Sequence, residues 1–273
     1  MLDAQWKLIK SELPPPSKYG RPEKYPRRDI VDGILYMTHN GGVWRALPAD
    51  FPPWPTVYYH FCVWRDDGTT AKINDVLRRK IRVLEGRDPE PSAAIIDSQS
   101  VKAASTVGAN SRGYDKGKKI NGRKRFIVVD TLGMLLCVLV TAASAHDHHG
   151  GKRILVDMYF SHRRTRHVFA DSGFAGTFVE WAKNILSTTV EVVRKKPDQK
   201  GFVVLPKRWV VERTLALIMA CRRLCRDYER RTDTSESFIQ WAMIKKMSRW
   251  LARHDGDAAH TDRQTPSVSA TAA

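Results

Sequence analysis

From residue 93 onward the chain alternates short apolar runs of strand length with stretches of helical period, and few architectures accept that order. AAIID (93–97), KRFIVVDT (124–131), LLCVLVTAA (135–143), HVFADS (167–172) and TTVEVVRK (188–195) each fit one strand. A tight turn containing Gly133 joins the second run to the third. Residues 150–160, FVEWAKNIL (178–186) and RWVVERTLALIMACRRLCRDYERR (208–231) have helical period, the last reading as one long helix. A final helix starts at Thr234 or Ser235, with Ile239, Met243, Met247, Trp250 and Leu251 forming its apolar stripe. Three strands, then helix, strand, helix, strand, helix, predict an α/β sheet with helices on its faces.

Upstream the pattern is helical. RRDIVDGILYMTH (27–39) carries Ile30, Ile34, Leu35 and Met37 at roughly helical spacing, and Gly41 and Gly42 stop it. Thr56 reads as the N-cap of VYYHFCVWR, and Gly68, Thr69 and Thr70 cap a basic helix, AKINDVLRRKIRVLE. Short helices, tight turns and exposed basic positions suit a small helix-turn-helix-like domain over 1–88. GRDPEPS (86–92) is a linker by composition, the sheet domain occupies 92–253, and the small polar residues 254–273 predict a disordered tail.

Charge narrows the partners. The 273 residues hold 46 Lys+Arg against 29 Asp+Glu, a formal net charge of +17. Such a chain favours a polyanion, because basic side chains release the counterions condensed on phosphate. No run of about 18 apolar residues is present, so no membrane span is expected. Cys62, Cys137, Cys221 and Cys225 form no paired metal-ligand set and read as reduced thiols of a cytoplasmic protein.

Three acids stand out by context. Cleaving a phosphodiester at neutral pH needs an activated water and a stabilised leaving oxygen, which two divalent cations supply together. Mg²⁺ takes oxygen ligands and few carboxylates, so two or three converging acids suffice. Asp97 and Asp171 each end an apolar strand run, at the sheet edge where open α/β folds place their sites. Glu212 lies beside Trp209, Val210 and Val211, where an unpaired acid against a core would be costly. Each acid also has an ordinary reading: a turn or cap for the aspartates, and an ion pair with Arg208 or Lys207 for the glutamate. Asp130 also ends a strand, but its neighbours favour a turn role. The cluster His146, Asp147, His148 and His149 suits helix entry at Asp147 better than a zinc site, since adjacent residues rarely converge on one tetrahedral ion.

Basic residues flank these acids. Residues 101–125 hold eight Lys/Arg against Asp115 alone, and Gly108, Gly113, Gly117 and Gly122 would let backbone approach phosphate. Residues 195–231 hold eleven Lys/Arg and four acids. The expected DNA contacts are Lys102, Lys118, Lys119, Arg123, Lys124, Arg125, Arg208, Arg213, Arg222 and Arg223.

At these residues the chain resembles the DDE transposases of insertion sequences, specifically the insertion-sequence-five family. The stretches are GRPEKYPRRDIVDGILYMTHNGGVWRALPADFPPWPTVYYHF, IIDSQSVK, GYDKGKKINGRKRFIVVDTLGMLL, FADSGFAG, and RWVVERT followed by CRRLCRDYE, in the expected order. The resemblance implies a ribonuclease H-like mixed sheet flanked by helices. It implies that Asp97, Asp171 and Glu212 hold two Mg²⁺ or Mn²⁺ ions. It also implies cleavage at terminal inverted repeats, joining of 3′-hydroxyl ends to target DNA, a homodimer on double-stranded DNA, and a bacterial, nucleoid-associated location. Arg208 matches the family's arginine one turn before the glutamate. The chain departs from the family after Glu212. Leu215 to Ala220 lack the usual tryptophan, and no basic residue occurs between Arg213 and Arg222. That departure supports an alternative, a catalytically weakened copy acting only as a DNA-end-binding protein or repressor.

Overall fold

Strand β1 (Ala93–Lys102) is the centre around which the rest is ordered. In the computed structural model, which describes residues 1–16, 18, 22–194 and 207–261 (the backbone alone for 255–261), β1 has partners on both edges. One is β3 (Ile120–Asp130), antiparallel from Ala94↔Asp130 to Lys102↔Gly122. The other is β5 (His167–Ala170), parallel from Ala93↔His167 to Ile95↔Phe169. Beyond these lie β4 (Leu135–Ala142), antiparallel to β3, and β6 (Thr189–Val192), parallel to β5. A three-residue strand, β2 (Gly113–Asp115), pairs with the first residues of β3. The sheet is therefore mixed, as the resemblance implies.

Side chains alternate across a strand, so each face of the sheet has its own core. Ala94, Ile96, Phe126, Val128, Val168 and Ala170 pack under α5 (Asp147–Ser161) and α6 (Thr177–Leu186), which contribute Ile154, Leu155, Met158, Phe178 and Ala182. Gly150 in α5 makes this approach possible, since a Cβ there would lie 2.2 Å from the Phe126 ring. Ile95, Ile127, Val129 and Phe169 face the other way. They meet Val210, Val211, Leu215 and Ile218 of α7 (Arg208–Met219) and the buried side of α8 (Thr232–Thr261).

The N-terminal helices are α1 (Asp3–Lys10), α2 (Arg27–Asn40), α3 (Trp54–Asp66) and α4 (Thr69–Leu84). They join the second core rather than closing one of their own. Ile9, Ile34, Phe61, Trp64, Leu77 and Ile81 cluster with Phe238, Trp241, Ile244 and Met247 of α8. Phe61 and Phe238 ring centroids are 4.6 Å apart. The change at residues 86–92 is thus one of architecture, from helices to sheet, across an apolar core that continues.

Several local expectations are corrected. Strand β1 does not end at Asp97 but runs five residues further, because Ser98 to Lys102 pair with Phe126 to Gly122. Helix α3 starts at Trp54 with Pro55 in its first turn, so Thr56 lies inside the helix rather than capping it. Helix α7 stops at Met219 instead of running to 231. The segment after it turns back along the sheet edge, where Asp227 N donates to Lys102 O (2.9 Å) and Ala104 N to Asp227 O (2.7 Å). Its carboxylate meets Arg123, which is fully buried, and a buried guanidinium demands such a partner. Tertiary pairing therefore overrides helix propensity here. Helix α8 begins at Thr232 and continues to Thr261, so residues 254–261 of the expected tail are helical; 262–273 lie outside the described residues.

Asp130 is the turn residue expected: its Oδ1 accepts from Leu132 N and Met134 N, both at 2.9 Å, and its Oδ2 from buried Arg82 at 2.9 Å. Among the described residues no helix is long and apolar enough to cross a membrane.

Candidate active site

The strand register builds the first half of the site. Strands β1 and β5 run parallel with Ile95 opposite Phe169, so two residues further Asp97 and Asp171 stand abreast at the carboxyl end of β5. Both have the parity of Ile95 and Phe169, which face α7. Asp97 is held in a strand by Ile127, while Asp171 caps the short turn 172–174 and its Oδ1 accepts from Gly173 N at 2.9 Å. Asp97 Oδ1 accepts from its neighbour Ser98 N at 2.7 Å.

Electrostatics mark Asp97 as unusual. Burial first, and then the charge of Asp171, push its carboxyl up to about 6, against the opposing pull of Ser98 N–H, Arg208 and Lys118. Two carboxylates side by side in a half-buried setting repel unless a proton or a cation lies between them. Oxygen donors of this charge, one within β1 and one just past β5, suit a hard divalent cation.

Glu212 sits differently. It lies one helical turn into α7, half exposed, and accepts from Arg208 Nη2 at 3.3 Å. Among the described residues no three His, Cys, Asp or Glu side chains are close enough together to hold a metal. The structure thus brings Asp97 and Asp171 together and leaves Glu212 on the neighbouring helix, turned to an arginine. An arginine partner favours the charged form of a third carboxylate, whereas two neighbouring negative charges oppose it. Arg208 is the link, because it binds Glu212 and its charge also reaches Asp97.

A fourth acid, not singled out as a site residue from the sequence, completes the surroundings. Asp147 opens α5, as expected of a helix-entry residue, and its Oδ1 accepts from Ser98 Oγ (2.9 Å) and Lys124 Nζ (3.2 Å). Asp147 and Asp171 approach from both sides of Gly173, where an added Cβ would lie 3.3 Å and 3.1 Å from their carboxylate oxygens. Its one legible signal was an acid in the first turn of a helix beginning beside a strand end.

The basic residues divide into two groups. Lys102, Lys118, Lys119, Arg213 and Arg222 are exposed and Arg208 is half-buried. Lys118 leans over the site, its Nζ 3.1 Å from Ser98 O. Arg123, Lys124, Arg125 and Arg223, also expected as DNA contacts, are instead buried and hydrogen-bonded internally. Arg123 pairs with Asp227 at 3.1 Å and Lys124 with Asp147; Arg125 donates to Leu224 O at 2.7 Å, and Arg223 pairs with Glu229 at 2.9 Å. Two glycines expected to face phosphate serve packing as well. A Cβ on Gly122 would lie 1.9 Å from Val101 O, and one on Gly113 2.2 Å from Ser144 Oγ.

Comparison with known proteins gives the family. Residues 88–244, more than half of the chain, match the family described as the transposase DDE domain. Residues 1–74 match the putative transposases of the IS4/5 family. An uncharacterized 16.2 kDa protein of insertion element IS402 from Burkholderia cepacia is 32% identical over 118 residues, covering 40% of this chain and 76% of that protein. The uncharacterized protein y4sN of Sinorhizobium fredii is 30% identical over 78 residues, covering 29% of this chain and 62% of that protein. With its mixed sheet flanked by helices, the chain belongs to the DDE transposases of insertion sequences.

Proposed function

We propose that the chain cuts DNA at the terminal inverted repeats of its element and joins the freed ends to target DNA, with Asp97, Asp171 and Glu212 as its catalytic carboxylates. The observation that carries this reading is the parallel register that sets Asp97 beside Asp171, with α7 packed on the same face and its Arg208 linking Glu212 to Asp97. Mg²⁺ or Mn²⁺, two ions in the working site, would supply an activated water and charge stabilisation at the scissile phosphate.

This chain's own residues do the rest. Asp97 within β1 and Asp171 just past β5 hold fixed oxygen donors, where little reorganisation is needed. Lys118 and Arg208 put positive charge beside them and draw the DNA backbone in. Lys102, Lys119, Arg213 and Arg222 extend that charge over the exposed surface. In the first step water's oxygen bonds to phosphorus and the 3′-oxygen leaves, giving a 3′-hydroxyl and a 5′-phosphate. In the second, that hydroxyl attacks a target phosphorus and displaces a target 3′-oxygen, losing its proton to solvent. Pairing two ends calls for a homodimer on double-stranded DNA, acting in the cytoplasm at the bacterial nucleoid.

A second reading has its own observation. Glu212 is engaged with Arg208, and Leu215 to Ala220 offer no basic side chain. A weakened copy that binds repeat ends without cutting would have these features. The test is strand cleavage and joining on a labelled duplex carrying the element's flanking repeat, with Mg²⁺ or Mn²⁺. Nicking at the repeat boundary followed by joined products supports the transposase. Tight binding of the repeat with neither product under either metal supports the binder.

A further inference from the structure

Far along α8 from its start, cations gather without acids. Lys245, Lys246, Arg249 and Arg253 line a groove floored by Leu217, Ala220, Ala242, Met243 and Trp250, with His39 from the end of α2 on its rim. Arg222 lies close enough for its charge, with those of Lys245 and Arg249, to hold His39 below its ordinary range, after burial. Two separate elements, α8 and the turn that carries Arg222, thus bring positive charge to one concave surface. Lys245, Arg249 and Arg253 follow one another at helical i,i+4 spacing, where like charges repel and cost stability.

No described acid relieves them. Glu229 is taken by Arg223, while Asp32, in the adjoining cleft, is held by the Met1 ammonium at 2.7 Å. Among the described residues neither Lys245, Lys246, Arg249, Arg253 nor Arg222 forms an ion pair. Uncompensated repulsion around an apolar floor is expected of a surface whose partner brings the negative charge. Half-buried Trp250, stacked on His254 at 3.7 Å, presents a flat aromatic edge beside the cations.

We infer that the groove between α7 and α8 binds the phosphate backbone of duplex DNA through Lys245, Arg249 and Arg253, with Arg222 and Lys246 at its flanks. This deepens the transposase reading and rests on it. Ala220, at the groove, is about 12 Å along α7 from Glu212 at roughly 1.5 Å per residue. The same duplex can therefore pass from the carboxylates to the groove. The contact is to backbone and carries no sequence preference. It supplies anchoring on α8 that Leu215 to Ala220 of α7 do not.

The test is the salt dependence of binding by the full chain, read as fluorescence anisotropy of labelled duplexes with and without the flanking repeat. The groove variant is Lys245→Gln/Arg249→Gln/Arg253→Gln. The control is Lys7→Gln/Lys10→Gln/Lys183→Gln, three exposed lysines elsewhere. Each lost phosphate contact lowers the slope of log K against log salt by about 0.9. The groove variant should lose about 2 to 3 of that slope and about 10- to 100-fold in affinity at 50 mM salt, equally for both duplexes. Its thermal midpoint should equal or exceed that of the unaltered chain, because repulsion has been removed. The control should keep its slope. A groove variant that binds as well as the unaltered chain overturns the inference, whether the groove is empty or covered by the chain's own acidic C-terminal residues. An unaltered chain that binds neither duplex overturns the transposase reading itself, so the two failures are distinct.

Discussion

Removing Asp227 should unfold the chain more readily than removing any exposed charge, and should do so through Arg123. The Arg123 guanidinium is fully buried. It donates to Asp227 Oδ1 at 3.1 Å, Ser235 Oγ at 3.3 Å, Ser111 Oγ at 2.9 Å and Arg230 O at 2.9 Å. Asp227 in turn accepts from Ser235 Oγ at 2.7 Å and Glu229 N at 3.0 Å. The pair ties the turn after α7 to the middle of the sheet. Taking one partner from a buried pair leaves a charge in low dielectric and costs about 3–5 kcal/mol. Replacing both with apolar residues of similar size is often close to neutral. Asp227→Leu and Arg123→Met should each lower stability by about 3–5 kcal/mol in urea denaturation, and the double variant should recover most of it. The midpoint should fall with an unchanged denaturant slope. If Arg123→Met is as stable as the unaltered chain and loses DNA affinity instead, Arg123 is a DNA contact and the internal role is refuted.

Three further outcomes follow from the geometry. Glu236 accepts from Val140 N at 2.7 Å, and burial pushes its carboxyl up to about 7. A raised acid stabilises the fold below its unfolded pKa and loses that contribution as pH rises through 7. Its share is on the order of 3 kcal/mol between pH 4.5 and 8, so Glu236→Gln should flatten the stability profile by that amount, measured by denaturation at each pH. Gly122→Ala should prevent β1 and β3 from closing, because its Cβ would meet backbone 1.9 Å away, and circular dichroism should report lost sheet or a thermal midpoint far lower. Lys102→Gln together with Lys119→Gln should weaken duplex binding at low salt and leave the thermal midpoint within a degree or two, since both side chains are exposed.

Much of the site was legible because strands and acids leave local marks. AAIID and HVFADS each place an aspartate after apolar residues, and parallel pairing needs only the register to bring the two abreast. Asp130 likewise read as a turn residue from Leu132 and Gly133 alone. What escaped was decided at long range. The polar SQSVK has no strand pattern, and its strand exists because β3 pairs with it. Arginines read as surface, yet Arg123, Arg125 and Arg223 are buried, the first two with partners distant in sequence and the third with Glu229 in the same turn. The stop of α7 at Met219 depends on Asp227 reaching Arg123, which no local rule contains. The apolar stripe of α8 was visible; that it would be shared between the sheet and the N-terminal helices was not.

Under the proposed function Asp97, Asp171 and Glu212 act as one unit, although Glu212 rests on Arg208 in this structure. The most direct measurement compares Asp97→Asn, Asp171→Asn, Glu212→Gln and the triple variant in Mn²⁺-dependent cleavage of the repeat duplex. Residues that act as a unit are grossly non-additive, so each single variant should lose cleavage by about as much as the triple. A Glu212→Gln variant that cuts like the unaltered chain while both aspartate variants fail would contradict the claim and remove Glu212 from the site.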